Sequence, residues 1–134
     1  GQRLDGLHVL LVEDNEINQE IAKELLLMEG ASVDVADNGE QALNIFARSE
    51  EGYYQLVLMD IQMPVMDGYT ATAALRSLRR DDAKTTIILA MTANVFSDDV
   101  IKAEASGMNG HISKPFDPDK LYAMIAASCH KKRG

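Results

Sequence analysis

Five short apolar runs, separated by longer stretches whose apolar residues return every three to four positions, constrain this chain more than any other feature. The runs are HVLLVE (residues 8–13), SVDVA (32–36), LVLMD (56–60), IILAM (87–91) and HIS (111–113). Strand-length apolar segments alternating with helix-length amphipathic ones are the pattern of βα units wound around a parallel sheet. The first, third and fourth runs are apolar almost throughout, as strands covered on both faces must be, whereas SVDVA alternates and reads as an edge.

The spacers predict helices over residues 16–29, 39–48, 67–80, about 97–107 and about 117–129. In the first, Ile17, Ile21, Leu25 and Met28 share one stripe, expected to face the sheet, and Gly30 supplies a C-terminal cap. The second is expected to bury Ala42, Leu43 and Phe46. Asp67 is placed as the N-cap of the third, and Asp98 and Asp99 in the favourable first turn of the fourth, which Gly107 ends. Pro118 stands in the first turn of the last. Five such units predict an α/β, flavodoxin-like three-layer sandwich, with a five-stranded parallel sheet of order 2-1-3-4-5 and five helices. The 134 residues fit one domain. It is expected to run over residues 7–129, with 1–6 and 130–134 as linker stubs.

In open sheets of this kind ligands bind beyond the carboxyl ends of the strands, where the winding direction switches. The first strand ends in Glu13-Asp14, the third in Asp60, the fourth in Thr92 and the fifth in Lys114-Pro115. The order 2-1-3-4-5 makes these neighbours, so three carboxylates, a hydroxyl and an ammonium converge on one pocket. Taken singly, each is ordinary: Glu13-Asp14 as a helix cap, Asp60 as a loop acid, Lys114 as its ion-pair partner. Together they pose an electrostatic problem, because two carboxylates ~4 Å apart at a dielectric of ~20 repel by ~4 kcal/mol. A divalent cation resolves it. Magnesium fits, since it takes one or two carboxylates and keeps positions for water and phosphate oxygens; calcium would want a wrapping loop that EDNEIN does not resemble. Beside magnesium, Asp60 is placed as a nucleophile toward a phosphoryl group, with Lys114 and Thr92 engaging the transferring oxygens.

Charge and composition narrow the alternatives. The net charge is −8, and residues 1–67 hold 14 of the 21 acids against three of the 13 bases, so the acidic surplus lies in the half that contains Asp60. Without a basic stripe, nucleic-acid binding is not expected. No apolar run approaches the ~20 residues that span a bilayer, and the single cysteine, Cys129, can close no disulfide within the chain, so no membrane contact and a cytoplasmic location are expected.

HVLLVEDN, VLMDIQMPVMDG, AMTAN and HISKPF, in that order and spacing, resemble the receiver domain of two-component response regulators over nearly the whole chain. The resemblance implies that Asp60 is the phosphoacceptor, and that Glu13 and Asp14 hold Mg2+ with Asp60 and the backbone carbonyl of Gln62. It implies that Thr92 is the switch hydroxyl and Lys114 its phosphoryl-pairing cation, with a cis Lys114-Pro115 peptide. Met63, Pro64 and Gly68 shape the turn after the phosphoacceptor. Gln62 and Asn94 flank the site and tune the lifetime of the acyl phosphate. His111 stands where such domains often carry a switching Tyr or Phe, and is either a rotameric switch residue or a partly exposed histidine at a strand start.

The implied partner is a histidine kinase or histidine-phosphotransfer domain, and a phosphorylation-dependent dimer is one implied form of output. RLDGLHVLLVEDNEINQEIA and MTANVF look most like receivers of hybrid sensor histidine kinases; the alternative is a regulator with a separate output domain, or a stand-alone receiver. A haloacid-dehalogenase-type phosphatase would need a second aspartate two residues after Asp60, where this chain has Gln62. A flavin module would need a phosphate loop in place of EDNEIN.

Overall fold

Strand β3 (Leu56–Asp60) lies at the centre of a five-stranded, all-parallel sheet of order β2-β1-β3-β4-β5, with β1 (His8–Val12), β2 (Ser32–Ala36), β4 (Ile87–Thr92) and β5 (Gly110–Ser113). The computed structural model describes residues 3–93 and 98–133. Every residue of β3 and β4 is buried, while β2 alternates at the edge, as the apolar patterning expects. Because side chains alternate across a strand, each strand feeds two cores. Val9, Leu11, Leu56, Leu58 and Leu89 point to one face; Leu10, Val12, Val57, Met59 and Ile88 point to the other. Ala22, Leu26, Leu121 and Ile125 cover the first face, and Ala42, Phe46, Ala71, Leu75 and Ala103 the second. Fully burying a side chain the size of leucine or phenylalanine contributes ~2 kcal/mol, so this double core is the main source of stability.

The helices are α1 (Glu16–Met28), α2 (Gly39–Arg48), α3 (Gly68–Arg76), α4 (Asp82–Thr85), α5 (Asp98–Ser106) and α6 (Pro118–Arg133). Among the described residues there are six where the sequence predicts five. The expected helix over 67–80 stops at Arg76, and a separate single turn, α4, follows. Ser77 caps α3, and the side chains of Arg76 and Arg80 turn away to carbonyls on other elements, so the chain leaves the helix where those bonds are made. Asn15, Asn38 and Asp67 each accept the backbone N–H three residues on, closing the starts of α1, α2 and α3.

Two further expectations are corrected. Residues 1–6 are not a loose stub throughout, because Leu4 is 1% exposed in the core and its N–H donates to the Glu29 carbonyl. The stripe assigned to the sheet face of α1 lies outward instead: Ile17 is 71%, Ile21 49% and Met28 59% exposed, and only Leu25 of the four is partly buried. The helix carries two apolar faces, and Ala22 with Leu26, about a third of a turn round, is the one that packs. Among the described residues no helix is long and apolar enough to cross a membrane.

Candidate functional site

Asp60 closes β3 with only 5% of its surface exposed, and Glu13, just past β1, is 2% exposed. Such acids stay buried only with partners. Here the partner is Lys114, which follows β5. Its Nζ donates to Glu13 Oε2 at 2.8 Å and to Asp60 Oδ2 at 3.1 Å. Asp14 points outward beside them, and oxygens of Glu13, Asp14 and Asp60 all lie within 4.8 Å of one another. Thr92, at the end of β4, joins them in lining a cavity of about 260 Å3. The five strand-end residues singled out by the sequence therefore meet in one place.

The loop after β3 holds Asp60 in register. Gln62 donates its backbone N–H to Asp60 Oδ1 at 3.1 Å. Gly68 packs against the Asp60 backbone so closely that a Cβ there would come within 2.4 Å of the Asp60 carbonyl oxygen, which accounts for glycine at that position. Between them Val65 has φ +71°, and Met66 N–H donates to the Pro64 carbonyl at 2.8 Å, the i to i+2 bond of a γ-turn. A β-branched residue in this region is strained. The Lys114-Pro115 peptide is cis.

The electrostatics set Asp60 apart from Glu13. Burial pushes the Asp60 carboxyl up to about 6, and the neighbouring Glu13 charge adds to that against the pull of the Gln62 N–H and Lys114. Burial acts on Glu13 as well, but hydrogen bonds with Lys114, Asp60 and Asn18 outweigh it and hold this carboxyl below its ordinary value. Lys114 is likewise raised, because the two carboxylates overcome the cost of its burial. Lys114 thus pairs with two of the three acids, Glu13 and Asp60. An all-oxygen set with spare negative charge and open space fits a hard divalent cation such as magnesium.

The other residues singled out by the sequence lie apart or outside. His111 is half-buried on β5 and lines a separate cavity of about 550 Å3 with Pro115, Lys120 and Met124. Asn94 lies outside the described residues. Sequence reasoning missed Asn18 and Gln19. The Asn18 side chain donates to Glu13 Oε1 at 3.2 Å, and Gln19 Nε2 donates to the Glu13 carbonyl and to Asp37. The signal was available: Asn18 sits three residues after the N-cap, where a side chain reaches back over the helix start.

A family model described as response regulator receiver domain matches residues 9–126. Transcription factor SKN7 of Candida albicans is 43% identical over 119 residues, which are 89% of this chain and 20% of that protein. The chain spans between 7% and 20% of the length of the first curated relatives it matches. Among solved structures, the receiver domain of a Pseudomonas aeruginosa sensor histidine kinase, with magnesium coordinated in its active-site cleft, superposes at TM-score 0.84 with 33% identity, covering 93% of this chain and 98% of that one. The receiver domain of a Saccharomyces cerevisiae response regulator, co-crystallised with a histidine phosphotransfer signalling protein, gives TM-score 0.82 and 33% identity, covering 94% and 91%.

Proposed function

The chain belongs to the response regulator receiver domain family, and on that premise we propose that Asp60 is its phosphoacceptor, charged by a phosphohistidine in the presence of magnesium. The observation that carries this reading is the pairing of a buried Asp60 carboxylate with Lys114 at the mouth of a cavity that holds two further acids. An Asp60 oxygen attacks phosphorus, the P–N bond breaks, and the imidazole leaves with the bonding pair and takes a proton from solvent. Lys114 and Thr92 engage the phosphoryl oxygens. Glu13, Asp14, Asp60 and the Gln62 carbonyl would hold magnesium, which supplies charge neutralisation at the transferring oxygens. Asp60 needs no general base, since it is already largely ionised near neutrality with its carboxyl at about 6.

The phosphoryl group then biases the chain between two conformations or passes on to a histidine-phosphotransfer partner. The exposed stripe of Ile17, Ile21 and Met28 supports the second route, because α1 starts at the rim of the Asp60 cavity and offers an apolar face to a docking helix. We place the domain in a hybrid sensor histidine kinase, in the cytoplasm, with a regulator carrying a separate output domain as the alternative parent. The folded unit in this reading starts at Leu4. Beryllofluoride with Mg2+ should shift the backbone amide resonances of Asp60, Thr92 and Lys114, and Asp60→Asn should remove the shifts. Equal shifts in the variant would contradict the assignment.

A further inference from the structure

Glu13 has both carboxylate oxygens committed in different ways. Oε2 is held by Lys114, which has a second acceptor in Asp60 at 3.1 Å and so can give Oε2 up. Oε1 is held from the start of α1: Asn18 Nδ2 donates to it at 3.2 Å, and the Asn15 N–H at 3.4 Å. Only the nitrogen of the Asn18 amide can face a carboxylate oxygen, so its orientation follows from the chemistry. The arrangement is a capping box turned inside out. Asn15 Oδ1 accepts the Asn18 N–H at 3.0 Å in the usual way, but the acid that takes the N-cap residue's own N–H is Glu13, two residues before it. Gln19 fastens the same residue through its carbonyl at 2.5 Å and ties it to Asp37 at 2.9 Å.

This matters because Glu13 is long. A glutamate has one more rotatable bond than an aspartate, and its free carboxylate can turn both oxygens toward a cation. Calcium accepts that bidentate mode readily, whereas magnesium demands near-octahedral geometry with single oxygens and retained waters. Resting on the magnesium reading above, we propose that Asn18 is a positioning residue that commits Oε1, leaves Glu13 one oxygen to give, and so tunes the site toward magnesium over calcium. Groups that orient metal ligands in this way change affinity by about 10–100-fold when they are removed.

The test is isothermal titration of the metal-free chain with Mg2+ and with Ca2+. Asn18→Leu deletes the donor but keeps the backbone N–H that Asn15 caps, so circular dichroism should be unchanged, while loss of one bond to the buried Glu13 carboxylate should lower the metal-free Tm without unfolding the chain at about 25 °C. Its Kd for Mg2+ should rise about tenfold while that for Ca2+ stays level or falls. Asn18→Gln, which keeps an amide donor, should recover most of the Mg2+ affinity. If Asn18→Leu binds both ions as the parent chain does, or if Asn18→Gln is as impaired as Asn18→Leu, the positioning role is overturned while the magnesium site stands. If the parent chain itself binds no Mg2+, both readings fall.

Discussion

The two ends of the sheet treat buried charge in opposite ways. At the end where the strands begin, Arg76 donates to the carbonyls of Gly107, Ala83 and Thr86 and to Asn109 Oδ1, at 2.8–3.2 Å. Arg80 binds the carbonyls of Phe46 and Ser49, lies over the Phe46 ring at 4.8 Å, and pairs with Asp82 through two bonds. Asp82 also accepts the Gly52 N–H, and despite the upward push of burial these bonds hold its carboxyl below the ordinary range. Arg80 and Asp82 answer each other's charge, neutral oxygens satisfy the Arg76 N–H groups, and the result is a set of clamps on helix ends. At the end where the strands finish, one lysine stands among three acids and Asp60 is pushed up to about 6. Charge met by partners holds loops together; an excess of carboxylates creates a demand for a cation.

The largest expected effect breaks the clamps. Arg76→Met leaves several carbonyl oxygens without donors and should cost about 3 kcal/mol in urea unfolding, since each unsatisfied buried group costs about 1–3 kcal/mol. A variant as stable as the parent would show that the two ends do not differ. The opposite sign is expected at the other end: Asp60→Asn removes a carboxylate that folding makes harder to ionise, so in EDTA at pH 7 it should gain about 1–2 kcal/mol.

The same asymmetry fixes the response to pH. Asp60 titrates near 6 in the folded chain against 3.8 in the unfolded one, so between those values the folded state binds more protons and stability falls as pH rises. Glu13 and Asp82, both lowered, contribute stability above their ordinary values of 4.5 and 3.8 that is lost as pH falls below them. Metal-free protein should therefore unfold at its highest temperature near pH 5, and Asp60→Asn should flatten the acid side of neutrality. Saturating the site at ten times Kd with Mg2+ should stabilise the parent by about 1.4 kcal/mol at pH 7 and the variant by less. The smallest effect belongs to the γ-turn: Val65→Gly relieves a strained, 76% exposed residue and should add about 0.5–1 kcal/mol, read as a shift in the urea midpoint.

What could be read from the sequence follows the same division. β3 and β4 are unbroken apolar runs ending in a polar residue, so with the order 2-1-3-4-5 that five βα units suggest, the meeting of Glu13, Asp60, Thr92 and Lys114 was legible from where the runs stop. α1 was not, because its apolar residues form two stripes, and periodicity cannot say which one packs; the small Ala22 beside Leu26 lets the helix approach, while the bulkier Ile17 and Ile21 stay outside. α4 went unseen because a single turn carries no period. Arg80 and Arg76 hid the end of α3, since nothing in the order RSLRRDDA reveals which carbonyls an arginine will reach. Asn18 was legible only to a reading that asked where the Glu13 oxygens go.

The central claim is that Asp60 takes the phosphoryl group, with magnesium and Lys114 neutralising the charge that the clustered acids and the transferring oxygens bring together. Intact-mass measurement after incubation with acetyl phosphate and Mg2+ tests it most directly. The parent chain should gain one phosphoryl group, lose it on adding hydroxylamine, and gain none in EDTA, and Asp60→Asn should gain none under any condition. A phosphoryl group that appears on Asp60→Asn to the same extent as on the parent would contradict the account.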